Sequence, residues 1–110
     1  MKNVYIIVLL LTTNLFSQTP EGFNYQSVIR DAAGDLITNS VVGVQFEIHQ
    51  TTAIGIVVYS ETHAPTTNAY GLFSVVVGQG TTSDTFSTID WSLDLYFLEV
   101  RVDSVGGTSY

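Results

Sequence analysis

Cysteine is absent from all 110 residues, so no disulfide can staple this chain and its stability must come from packing and backbone hydrogen bonds. Basic residues are nearly as scarce, three Lys and Arg against ten Asp and Glu. A chain with this balance repels phosphate backbones, which excludes nucleic-acid binding. Long hydrophobic runs are also missing: the longest, Val4 to Leu11, is eight residues, far short of the roughly 20 that a membrane-spanning helix needs. No GxSxG elbow, SxxK, HxH, HExxH or Asn-x-Ser/Thr sequon occurs, and Gly78-Gln79-Gly80 lacks the helix a phosphate-binding glycine loop requires.

What is present begins with a leader. Lys2 supplies a positive start, Val4 to Leu11 an apolar stretch, and Thr12 to Gln18 a polar return with the small residue Ser17 before Gln18. This tripartite order predicts a signal peptide over residues 1–17, cleaved after Ser17, although Leu15 departs from the small-x-small pattern. With no cysteine after the apolar stretch, a lipid-modified anchor is excluded. Removing seventeen residues from 110 leaves 93, enough for one domain, residues 18–110, with a modest core. That part keeps Arg30 and Arg101 against all ten acidic residues, a formal charge of −8. The expected location is secreted or cell surface.

The dominant period in residues 18–110 is two. Phe23 to Arg30 alternates, with Phe23, Tyr25 and Ile29 on one face, and Asp31 to Asp35 then reads as a turn in which Gly34 takes a positive φ. A short extended piece, Leu36 to Thr38, follows. Val42, Val44, Phe46 and Ile48 alternate with Gln45, Glu47 and His49, and a loop over Gln50 to Gly55 leads to a strand from Ile56 to Thr62. Asn68 to Gly71 is a turn ahead of Leu72 to Val77, whose weak alternation suits a strand covered on both faces. Thr81 to Ser92 is a long connection carrying Phe86, Ile89 and Trp91 as plugs for the core. Leu95 to Asp103 places Tyr96, Leu98, Val100 and Val102 inward and Glu99, Arg101 and Asp103 outward. Gly106-Gly107 then offers a hairpin turn.

No helical period competes with this pattern. The expected fold is all-β: a small antiparallel β-sandwich, immunoglobulin-like or transthyretin-like, of five or six strands and lacking its last one. The edge left without that strand exposes backbone donors and acceptors to which another strand can add.

The run Pro20 to Gly34, with Tyr59-Ser60-Glu61-Thr62-His63, Thr67 to Phe73 and Ile89-Asp90-Trp91, resembles the N-terminal module of large secreted Bacteroidetes surface proteins. Such proteins often continue into collagen-like or tail-fibre-like segments. The resemblance implies that this chain is a fragment whose partners are downstream segments of the same protein, and it carries no catalytic residues over. Thr66 to Phe73 is also similar to transthyretin-like and carboxypeptidase-regulatory-like sandwiches, which bears on fold alone.

Several groups are candidates for chemistry, each with a plainer explanation. Glu47 with His49, and Glu61 with His63, are i, i+2 pairs that share a strand face and can serve a metal or an acid–base pair. Two polar residues on a solvent face arise by pattern alone, and a metal needs at least one further ligand from elsewhere. Asp31 and Asp35 are candidate calcium ligands, although turn chemistry accounts for both. Asp84, Asp90 and Asp94 can converge within the long connection. Trp91, Tyr96 and Tyr70 are candidates for a carbohydrate-stacking platform, where core packing is the alternative. Asp103-Ser104-Val105, and more loosely Asp84-Thr85-Phe86, match the O-glycosylation pattern that the Bacteroidetes resemblance implies, with Ser104 as the acceptor. No catalytic or cofactor-binding residue is identified, and no cofactor is expected. The expected function is a non-catalytic structural or adhesive module of an exported, fibre-like surface protein. The alternative is a carbohydrate- or calcium-binding module of a secreted multidomain protein.

Overall fold

The computed structural model describes residues 22–110. The expected leader and its cleavage point lie outside the described residues. The chain runs β1 (Phe23–Val28), β2 (Gly43–Gln50), β3 (Val57–His63), β4 (Leu72–Val77), a short 3₁₀ turn at Phe86–Thr88, and β5 (Tyr96–Asp103). β1 pairs antiparallel with β4, while β2 lies between β3 and β5 in a second antiparallel sheet. The two sheets close on one core, giving the small all-β sandwich that the period-two pattern predicts. Among the described residues no helix is long and apolar enough to cross a membrane.

β2 shows why the sequence folds this way. Val42, Val44, Phe46 and Ile48 are all buried, so the strand spends its whole apolar face on the opposite sheet. Each such side chain contributes about 1.5–3 kcal/mol by leaving water. Phe46 meets the edge of Tyr25 from β1, ring centres 5.2 Å apart, and Tyr25 in turn packs on Phe73 of β4. Those three rings join the layers. Where the sheets diverge, Phe86 from the long connection packs on Tyr59 and Trp91 and closes the core at that end. The turn at residues 31–35 forms as expected: Asp31 Oδ1 accepts the N–H groups of Ala33 and Asp35, and Gly34 takes φ +89°.

Four expectations are corrected. Among the described residues β4 is covered on one face only, through Phe73 and Val77, because it lies in a two-stranded sheet that no described layer covers on its outer side; Ser74 is exposed and Val76 half-exposed. Glu61 and His63 do not lie on a solvent face but follow Tyr59 along the inner face of β3. His49, expected to face solvent, is only 7% exposed. Asp103, also expected outside, is buried, since its carboxylate turns back to accept the N–H groups of Val105 and Ser109. That carboxylate folds residues 104–110 across the start of β2, where Gly107 and Tyr110 lie against Gly43. Gly106 has φ +86°, as a turn requires, but no strand follows it among the described residues.

Candidate functional site

The three-stranded sheet has two unlike edges. On the β3 side the long connection supplies its own backbone and side chains. Thr81 and Thr62 exchange both backbone hydrogen bonds, at 2.9 Å each. Asp84 accepts the N–H of Ser60, and the Thr82 hydroxyl donates to the Ser60 carbonyl. On the β5 side, among the described residues, no backbone group outside β2 bonds residues 97–102. Beside that open edge an apolar cleft of about 170 Å³ is lined by Phe23, Ile48, Trp91, Tyr96, Phe97 and Leu98. A second, of about 260 Å³, continues it between Gly22, Phe23, Phe86 and Trp91. Trp91, Phe97 and Leu98 stay between a third and a half exposed there, because among the described residues no strand covers the gap between β1 and β5.

A charged cluster occupies the outer face of the same sheet. The register sets Glu47 directly opposite Glu99, and Gln45 opposite Arg101. His49 lies two residues beyond Glu47 on the same strand, at a β-bulge where the pairing with β3 shifts between Ile48 and His49. The bulge delivers His49 to a buried position: its Nδ1 lies 2.8 Å from the Gly55 carbonyl and its Nε2 2.8 Å from Glu99 Oε1 and 4.0 Å from Glu47 Oε1. The bond to the Gly55 carbonyl and then Glu99 raise the His49 pKa above its ordinary 6.5. Arg101 donates through Nε to Glu99 Oε2 at 2.8 Å, and its Nη2 lies 3.4 Å from Glu47 Oε1. The guanidinium, and His49 after it, hold the Glu99 carboxyl below the usual range. Of the four residues, the sequence marks only Glu47 and His49 as a pair; Glu99, fifty residues from His49, joins them through strand register.

The second histidine pair is a pin in the core. Glu61, 1% exposed, accepts hydrogen bonds from the Tyr59 hydroxyl, from the Gly78 N–H at 2.7 Å and from His63 Nε2. Burial and the adjacent carboxylate push the Tyr59 phenol well above its ordinary pKa, so it remains a donor. Gly80 passes so near that a Cβ there would lie 2.6 Å from His63 Nε2 and 2.6 Å from the Thr62 carbonyl. The arrangement ties the turn after β4 to β3.

The remaining candidates are not brought together. Asp31 is committed to its own turn, and Asp35 joins no cluster of metal-binding groups among the described residues. Asp84 is bound at the β3 edge, Asp90 to Ser92, and Asp94 to Thr51 and Leu95, so the three do not converge. Trp91 and Tyr96 do meet, at 5.2 Å, but edge to face at 72°, and Trp91 leans on Phe86. Tyr70, 75% exposed, precedes β4 at the end where Leu72 pairs with Val28, whereas Trp91 lies by Phe23, which pairs with Val77 at the other end. Six residues of strand separate the two ends, roughly 17 Å. No flat three-ring platform results. Ser104 is exposed in the turn after β5, while in the looser match Phe86 is buried.

Neither the curated proteins nor the solved structures contain a match to this chain. One family does match, over residues 24–109, which span all five strands from the second residue of β1 onward. The chain therefore belongs to the family described as a domain of unknown function, DUF8740.

Proposed function

We propose that this chain is a non-catalytic interaction module of an exported, surface- or fibre-type protein, and that it assembles by pairing the β5 edge with the same edge of a second copy. The observation that carries this reading is the contrast between the two edges of the three-stranded sheet: β3 is capped by Thr81, Thr82 and Asp84, whereas β5, among the described residues, is bare beside an apolar cleft. Natural sheets cap or charge the edges they keep unpaired, so an eight-residue edge left open is a pairing surface.

The occupant follows from the edge itself. An antiparallel register centred on Val100 sets Glu99 opposite Arg101 of the second copy, and Leu98 opposite Val102 of that copy. Both pairings are favourable, and the apolar pair lies on the face that continues the core. The tripartite leader over residues 1–17 supports export, and the resemblance of residues 20–34 to modules of secreted Bacteroidetes proteins supports a surface or fibre-like setting. A non-catalytic role is supported by the two histidines, whose bonded ring nitrogens are held by Glu61, Glu99 and the Gly55 carbonyl rather than by a hydroxyl nucleophile.

Sedimentation equilibrium tests the pairing. The native chain is expected to be a dimer at micromolar concentration and to associate more tightly as added salt screens its net negative charge. Leu98→Lys, a charge on the edge, is expected to give a monomer with an unchanged far-ultraviolet spectrum. A native chain that remains monomeric, or a Leu98→Lys chain that remains dimeric, overturns the assignment.

A further inference from the structure

We propose that Glu47, His49 and Glu99 form a binding site for a divalent transition-metal ion of the zinc class on the outer face of the three-stranded sheet. One ligand atom from each lies within 4.8 Å of the others. Two of the residues are direct cross-strand partners, and the third shares a strand face with one of them. The backbone of β2 and β5 therefore fixes the spacing.

The tautomer of His49 makes the argument. Its Nδ1 lies 2.8 Å from the Gly55 carbonyl, which can only accept, so Nδ1 carries the proton and donates. With Nδ1 so committed, a neutral ring would turn the Nε2 lone pair toward Glu99 Oε1, a second acceptor 2.8 Å away. Two acceptors facing each other require a cation between them, and the choice is a proton or a metal ion. A ring N–H held by a backbone carbonyl is the usual support that orients a metal-binding imidazole. Ligands about 2.1 Å from a tetrahedral zinc lie roughly 3.4 Å apart, and the distances from Nε2 to the two carboxylates, 2.8 and 4.0 Å, bracket that value.

The remaining contacts suit the same role. Glu99 keeps Oε1 for the ion because Oε2 is held by Arg101. The contact of Arg101 with Glu47 Oε1, at 3.4 Å, gives way when the ion enters. His49 is nearly buried, Glu47 partly and Glu99 least, so the cluster opens to water on one side, where a fourth ligand can come from solvent. A nitrogen in the set selects zinc, copper or nickel over calcium and magnesium, which take oxygen alone. The β-bulge at Ile48/His49 supports the assignment independently of the ligand distances, since bulges re-aim single side chains and cluster beside functional sites.

The test is titration of the chelator-stripped chain with zinc chloride, followed by calorimetry and by the NMR signals of the two imidazole rings. One equivalent is expected to bind with a dissociation constant in the micromolar range or below, and the His49 ring signals move while those of His63 stay. His49→Gln is expected to weaken binding at least a hundredfold, and Glu47→Gln or Glu99→Gln at least tenfold each. Should His49→Gln fail to fold, the selective shift of the His49 ring in the native chain decides the question. Absence of heat and of a ring shift at millimolar zinc shows that a proton fills the position and overturns the proposal, as does binding of undiminished affinity in a folded His49→Gln chain.

Discussion

Glu61 is the residue on which most depends for its size. It is a carboxylate with almost no exposure, yet three donors from β3 and the turn after β4 converge on it. Breaking such a set from one side leaves the others buried without partners, which costs far more than the set contributes when whole. Glu61→Ala is expected to destabilise the chain by about 3 to 5 kcal/mol in urea unfolding, whereas Asp35→Ala, at an exposed turn position, stays near zero. The sequence offers Glu61 and His63 as a pair but not their side of the sheet. Alternation assigns faces by polarity, and a buried carboxylate inverts that rule because its bonds satisfy it. His49 and Asp103 were hidden for the same reason: each is polar, and each is buried on account of a specific acceptor or donor that lies elsewhere in the chain.

At the scale of elements, β2 and β5 are legible in the sequence because apolar and polar residues alternate from Val44 to His49 and from Leu98 to Asp103. Their neighbours are not. Period two states which face a residue takes, and says nothing about whether β2 lies between β3 and β5 or beside β1. The metal-binding cluster depends on that unreadable step, since Glu99 meets Glu47 only through register. The β2–β3 hairpin shows another hidden device. Thr51 has φ +77°, an uncommon conformation for a β-branched residue, and is held there by its hydroxyl on Asp94 and its N–H on the Leu95 carbonyl. These bonds clip the hairpin loop to the entry of β5. The Thr51 hydroxyl, and then the Leu95 N–H, lower the Asp94 pKa, and Ser92 does the same for Asp90. A carboxylate depressed by folding stabilises fully above its unfolded pKa of about 3.8 and loses that contribution as pH falls through the folded value. Asp94→Asn is therefore expected to lower the thermal midpoint most at pH 7 and progressively less as pH falls below about 4, so that the acid fall is flatter than in the native chain, as measured by calorimetry across that window.

For the whole molecule, the capped edge matters as much as the open one. Thr82 and Asp84 occupy the Ser60 backbone groups that a foreign strand would otherwise take. Replacing both, Thr82→Ala with Asp84→Ala, is expected to free the β3 edge and turn a dimer into species of indefinite size, visible as rising light scattering and thioflavin binding. An unchanged dimer in the double variant would show that the Thr81–Thr62 bridge shields the edge by itself. In the vocabulary of polymerisation, the three-stranded sheet has a valence of one. A monomer with two reactive ends grows into a filament, but a monofunctional one can only couple and stop, and coupling two through β5 consumes both reactive ends at once. On the proposed pairing, the long connection would act as a chain stopper, and the size of the assembly would be set by twelve residues, 81–92, that lie outside every strand.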